Sequence, residues 1–154
     1  MKTSRTQMAI VAAGGSFLLL GGAFVFQIMG YAPCKMCLWQ RWPHAFAFVL
    51  GIAFIVIPSR IIALLGALAA ATTAAIGLFH AGVEQSWWEG PNSCTSDDIT
   101  ALTPEQLLEQ IMAAPMVRCD EIAWSLAGVS MAGWNAILSL VLALIWITAA
   151  RRAS

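Results

Sequence analysis

The chain reads as an all-α membrane protein: a four-transmembrane-helix bundle forming one domain over residues 1–154, with a short interfacial helix in its second outer loop. Three observations lead there. Of the 154 residues, 60% are hydrophobic and only 10% charged, against about 25% charged in an ordinary soluble domain. Four apolar stretches stand out, at approximately 8–30, 42–58, 61–80 and 131–150, and a helix needs about 20 apolar residues, about 17 at the lower end, to cross the hydrocarbon core. The charges are also segregated, because all eight carboxylates fall between Glu84 and Glu121.

The first stretch follows Lys2 and Arg5 and is longer than the 7–15 residue core of a cleaved signal peptide, so it is expected to stay as a span. Pro33 precedes Cys34 where a lipidated cysteine would need a small residue. Gly14-Gly15 and Gly21-Gly22 are expected to mark close helix packing. The second stretch is the shortest and borrows the turn from Leu38 to Arg41. Pro33 suits the first turn of a helix, which places that helix start near Cys34. In the long loop 81–130, Thr103, Pro104 and Gln106 have capping-box spacing. Leu107, Leu108, Ile111 and Met112 then form an apolar edge opposite Glu105 and Glu109, which predicts a short helix on the membrane surface, ended by Pro115.

A parity argument assigns sides. Lys2 and Arg5, Arg60, and Arg151 with Arg152 flank the spans so that all share one face, and the positive-inside rule makes it cytoplasmic. Both termini lie there. Loops 31–41 and 81–130 share the opposite face and hold every cysteine: Cys34 and Cys37, then Cys94 and Cys119. Trp39, Trp42, Trp87, Trp88, Trp124 and Trp134 flank the outer ends of the spans, where indoles prefer the interface. That side is where disulfides form and persist. An even count favours two disulfides, one per loop, although sequence alone allows three connectivities.

A thiol pair at a helix N-terminus sits beside unpaired N–H groups that lower a cysteine pKa. Arg41 follows Cys37 by four residues and shares its helix face. A fixed charge at the edge of hydrocarbon needs a partner, and its planar fork suits a thiolate or a carbonyl oxygen of a ligand. The alternatives are that Arg41 snorkels to headgroups and that Cys34–Cys37 is a structural link, although so short a loop stabilises little. A zinc or copper(I) site is the third reading. Only one pair has metal-clip spacing, however, and an oxidising compartment disfavours four free thiolates, so no metal is expected and redox chemistry is favoured. Cys94 and Cys119 form either an inert staple or a second redox couple. A neighbouring pair favours the couple, since thiol–disulfide exchange needs a partner within reach. His80, at the outer end of the third stretch, either holds an interfacial water or donates a hydrogen bond or proton to a redox ligand. His44 lies one turn after Arg41.

"CKMCLWQR" resembles the Cys-x-x-Cys-x-x-x-Arg signature of the DsbB family, the bacterial disulfide-bond formation proteins. "RCDEIAWSLAGVSMAGWN" is similar to that family's segment around the last cysteine and into the fourth span. The likeness covers nearly the whole chain. It implies an enzyme, a quinone-dependent protein-disulfide oxidoreductase of the bacterial inner membrane. A reduced DsbA-like periplasmic thioredoxin-fold oxidase would attack a Cys94–Cys119 disulfide at Cys94. Electrons would pass to Cys34–Cys37 and then to ubiquinone or menaquinone. By the same resemblance Cys34, Cys37, Cys94 and Cys119 are catalytic, while Arg41 and His80 bind the quinone. The partners implied are the oxidase, the quinone and the bilayer, with no nucleic acid. A reductant conduit running the other way would need a cysteine near the cytoplasmic side, and the sequence places none there.

Overall fold

The structure, a computed structural model, describes residues 4–91, Thr103, Glu105 and 117–152. Cys94 and the surface helix expected around Leu107, Leu108, Ile111 and Met112, with Pro115, lie outside the described residues.

Helix α1 spans Arg5–Ile28. It opens with a capping box, in which the Gln7 N–H donates to Ser4 Oγ at 3.2 Å and the Ser4 N–H donates to Gln7 Oε1 at 2.8 Å. Two of the backbone donors that any helix start leaves orphaned are thereby satisfied. The chain leaves α1 through Gly30, whose φ of 101° suits glycine alone. Helix α2, Lys35–Val56, is capped by Cys34 itself, whose Sγ accepts from the Cys37 N–H at 3.2 Å. Pro33 therefore stands one position ahead of the cap and outside the first turn. Helix α3, Arg60–Glu84, starts from Ser59, whose hydroxyl accepts from the Ile61 N–H. A two-stranded hairpin follows, β1 (Ser125–Leu126) and β2 (Val129–Ser130). Its Ala127-Gly128 turn has positive φ at both residues, the geometry that matches strand twist. Ser130 then caps helix α4, Met131–Arg151.

The helices α1, α3 and α4 are long and apolar enough to cross a membrane, with mean hydropathies of 2.1, 2.2 and 1.8. Helix α2 falls short of that company because Lys35, Gln40, Arg41 and His44 crowd its first turns. Large apolar side chains face outward around the bundle, among them Leu18 at 72% and Val56 at 76% exposure. Such a surface belongs in lipid, where side chains of this kind gain nothing by hiding from the solvent. The chain is a helical, multi-pass membrane protein.

Each helix packs on its chain neighbours, α4 also closes on α1, and α1 and α3 scarcely meet across the diagonal. Small residues make the ring tight. Ala9, Ala12 and Ala13 of α1, Ala63, Ala67 and Ala70 of α3, and Ala143 and Ala150 of α4 surround Phe54 and Trp146. Those two rings meet edge to face at 6.1 Å. Of the four α1 glycines expected at helix contacts, only Gly15 faces a neighbour, Leu142; Gly14, Gly21 and Gly22 have nothing within 4 Å of a modest side chain. Alanines carry the close approach of α1, and Gly51 of α2 supplies the glycine, lying against Ala13. At the other end of the bundle a second cluster gathers Cys34, Met36, Val83 and Cys119. The chemistry lies there.

Candidate functional site

Cys34 and Cys37 are free thiols whose sulfurs lie 2.8 Å apart. Both belong to the 31–41 segment, outside the apolar stretch of α2. Cys34 is buried and Cys37 half-buried. The Cys34 thiol donates to the Cys37 sulfur, and that one contact acts oppositely on the two groups. It holds Cys34 in the thiol form, pushing its pKa far above 9.0, with burial adding to the rise. It stabilises the anion on Cys37, pulling that pKa below 9.0, helped by the backbone at Cys34 and more weakly by the Arg41 charge, against burial and the Glu84 carboxylate. Cys37 is the more easily ionised of the pair.

Helix α3 brings His80 to the same sulfurs, with Nε2 3.6 Å from Cys34 Sγ. Cys119, disulfide-bonded and fully buried, packs into the same cluster, and its backbone is a further hydrogen-bond partner of His80. One turn along, Glu84 Oε1 stands 3.9 Å from His80 Nε2 with its side chain 5% exposed, while Oε2 is buried without a partner among the described residues.

A buried polar chain supports His80 from behind. Gln40 Nε2 lies 3.1 Å from Met36 O and 3.1 Å from His80 Nδ1. Asn135 of α4 donates through Nδ2 to Gln40 Oε1 at 2.7 Å and to Thr73 Oγ1 at 3.1 Å. A backbone carbonyl only accepts, so the end of Gln40 facing Met36 is its NH₂. The same NH₂ group lies against His80 Nδ1. The ligand atoms of Cys34, Cys37 and His80 fall within 4.8 Å of one another, close enough together to hold a metal ion.

The sulfurs open onto a cavity of about 420 Å³, the size of a small-molecule site. Cys34, Cys37, His80 and Glu84 form one end; Leu19, Phe26, Trp134 and Leu138 give it apolar walls. Arg41 lines it too, held differently from the sequence expectation. Its Nη1 donates to Gln27 Oε1 at 2.7 Å and its Nη2 to Ala23 O at 3.3 Å, so the fork docks on α1, with Cζ 4.8 Å from the Phe24 ring centroid. Nε is buried without a partner among the described residues. A flat apolar ring carrying carbonyl oxygens, such as the quinone the resemblance implies, matches apolar walls with one spare buried donor.

Sequence reasoning passed over Gln40, Asn135, Thr73 and Glu84. Two signals pointed to three of them: Glu84 stands four residues after His80, and Asn135 and Thr73 are polar residues inside apolar stretches, where polar groups cost energy and carry function.

The family profile described as "Disulfide bond formation protein DsbB" matches residues 5–149. The chain is 33% identical over 152 residues to "Disulfide bond formation protein B" of Pasteurella multocida, covering 89% of this chain and 83% of that protein. It is 30% identical over 149 residues to the protein of the same name from Shewanella amazonensis, covering 94% and 88%. To "Disulfide bond formation protein B 2" of Pseudomonas aeruginosa it is 33% identical over 141 residues, covering 83% and 79%. No solved structure matches it. With a family profile spanning almost its whole length and relatives of one name aligned nearly end to end, the chain belongs to the DsbB family of disulfide bond formation proteins.

Proposed function

We propose that the protein is an integral membrane thiol:quinone oxidoreductase that reoxidises a DsbA-like periplasmic thioredoxin-fold oxidase. In this reading α1 to α4 all span the bacterial inner membrane, both termini are cytoplasmic, the 31–41 and 81–130 loops face the periplasm, and a short helix near 103–112 lies on the membrane surface. The observation that carries it is convergence: the Cys34–Cys37 pair and His80 line one apolar cavity, and the disulfide-bonded Cys119 packs in the same cluster as the pair.

The steps balance as follows. A thiolate of the reduced partner attacks the Cys94–Cys119 disulfide at Cys94; the S–S bond opens and Cys119 leaves with the electron pair. The partner's second thiolate releases Cys94 and closes the partner's disulfide. The thiols of Cys94 and Cys119 then reduce the Cys34–Cys37 disulfide by the same exchange, a transfer that the packing of Cys119 against Cys34 and Cys37 makes short. Cys37, the more easily ionised of the pair, lines the cavity. A membrane quinone held there would supply the two-electron, two-proton sink. Closing Cys34–Cys37 would release two electrons and the Cys34 thiol proton, the second proton being the one Cys37 gave to solvent on ionising, and Arg41 Nε would orient a ligand oxygen.

Purified protein given the reduced partner and a soluble quinone is the test. We expect one quinone reduced per partner disulfide formed. Absence of quinone reduction by a folded sample would sink the reading. Arg41→Ala should spare folding and raise the quinone KM or slow turnover by about ten- to a hundred-fold, the worth of one hydrogen bond from a charged donor. Unchanged kinetics would remove Arg41 from the site.

A further inference from the structure

Resting on the thiol–quinone reading, we propose that Gln40 and Asn135 are positioning residues that hold both histidines in the Nε2–H form. His80 then keeps its proton on the nitrogen nearer Cys34, and His44 keeps a bare, buried Nδ1.

Two backbone carbonyls anchor the assignment. Met36 O, 3.1 Å from Gln40, identifies that amide's NH₂ end. Thr73 O, 3.4 Å from Asn135, identifies the NH₂ end of the second amide. Everything else follows by pairing donors with acceptors. Gln40 Oε1 receives the Asn135 NH₂ at 2.7 Å. The Thr73 hydroxyl spends its proton on Gln40 O at 3.1 Å, so toward Asn135 it accepts. Gln40 donates its remaining N–H to His80 Nδ1, and the His80 proton must sit on Nε2. Asn135 Oδ1 accepts from His44 Nε2 at 2.8 Å and from Ser139 Oγ at 3.3 Å. His44 Nδ1 is therefore a lone pair, buried and unpartnered among the described residues. Flipping either amide would set oxygen against a carbonyl oxygen in a buried site, where unsatisfied groups are costly.

The chemistry that needs this is charge on sulfur. Every exchange at the pair passes through a state with an anion on one sulfur. On Cys37 the neighbouring thiol donates to it; on Cys34, 4% exposed, the His80 Nε2–H at 3.6 Å is the side-chain donor at hand, and it turns from the Cys119 backbone to the sulfur when charge develops there. A histidine free to swap tautomers would present a lone pair there for part of the time and repel the anion. The titratable groups facing His80 are Cys34 from the α2 cap and Glu84 from α3, with Cys37 beyond Cys34.

The test uses full-length protein in nanodiscs with ¹⁵N-labelled histidine. The two signals are assigned with single His variants, and ring ¹⁵N shifts report which nitrogen carries hydrogen. Both rings should be protonated on Nε2. In Gln40→Glu a carboxylate replaces the amide donor and accepts from Nδ1, so the His80 pattern should reverse while His44 keeps its own. Quinone-linked kcat should fall about tenfold with KM little changed, the loss of one donor to a charged group. Gln40→Met, which removes the donor without adding charge, should give a mixed His80 signal and a smaller loss, and it serves if Gln40→Glu fails to fold. Nδ1 protonation of His80 in the unaltered protein would overturn the proposal, as would a reversed tautomer with unchanged kcat. Should the unaltered protein fail to reduce quinone at all, the thiol–quinone reading falls, and the ring shifts still decide the tautomer.

Discussion

At Cys34 and Cys37 one short contact drives two chemically identical thiols apart. The donor becomes harder to ionise and the acceptor easier. The signs fix the pH behaviour. A pKa below 9.0 keeps Cys37 a thiolate at pH values where a free cysteine is already protonated, whereas the raised Cys34 stays a thiol throughout that window. The thiolate is the nucleophile, so iodoacetamide should modify Cys37 first in the reduced protein, and its rate should fall off at a lower pH than that of a free cysteine. Site-resolved mass spectrometry checks this, and faster labelling of Cys34 would contradict it. The two cysteines could be picked out from their spacing. Their asymmetry could not, because it depends on the contact between the two sulfurs and on the burial of Cys34, which outweigh the backbone N–H groups that favour its anion. Gln40 and Asn135 were still less visible: they lie 95 residues apart in sequence and each is a single polar residue in greasy surroundings.

At the level of elements, α3 and α4 define the depth at which the site is built. Gly77 lets the α4 backbone come close beside Asn135: a Cβ there would meet Ala132 O at 3.0 Å and Asn135 Nδ2 at 3.1 Å. Lower down, a Cβ on Gly66 would lie 2.6 Å from the Trp146 indole, a rigid group with no room to yield. Gly66→Val should therefore destabilise the bundle by about 1–3 kcal/mol, the usual cost of overpacking. Gly14→Ala, with open space around it, should leave thermal unfolding in detergent unchanged or raise its midpoint. Equal midpoints for the two variants would show that α3 and α4 do not pack as described. The helices themselves were legible as apolar runs. Which small residues face inward was not, since α1 is apolar on every side and periodicity cannot mark its packed face; hence the misplaced weight on Gly14, Gly21 and Gly22.

For the whole molecule, the composition and the four apolar runs led correctly to a helical membrane protein, because hydrocarbon selects so strongly for uninterrupted apolar helices. The convergence of α2, α3 and the segment around Cys119 on one cavity was beyond reach, being a matter of how the ring closes. Sidedness is the remaining global property. Both cysteine pairs should react with a membrane-impermeant maleimide from the periplasmic face after reduction, and a cysteine introduced beside Arg60 should not. Labelling of either native pair only from the cytoplasmic face would break the relay. The adjacency of the two couples has a more direct probe: in a Cys37→Ser, Cys94→Ser double variant, Cys34 and Cys119 are the remaining sulfurs, packed in one cluster. Mild oxidation should join them in a single disulfide, seen as loss of both free thiols by mass spectrometry; two thiols that stay separately alkylatable in the folded protein would contradict the account.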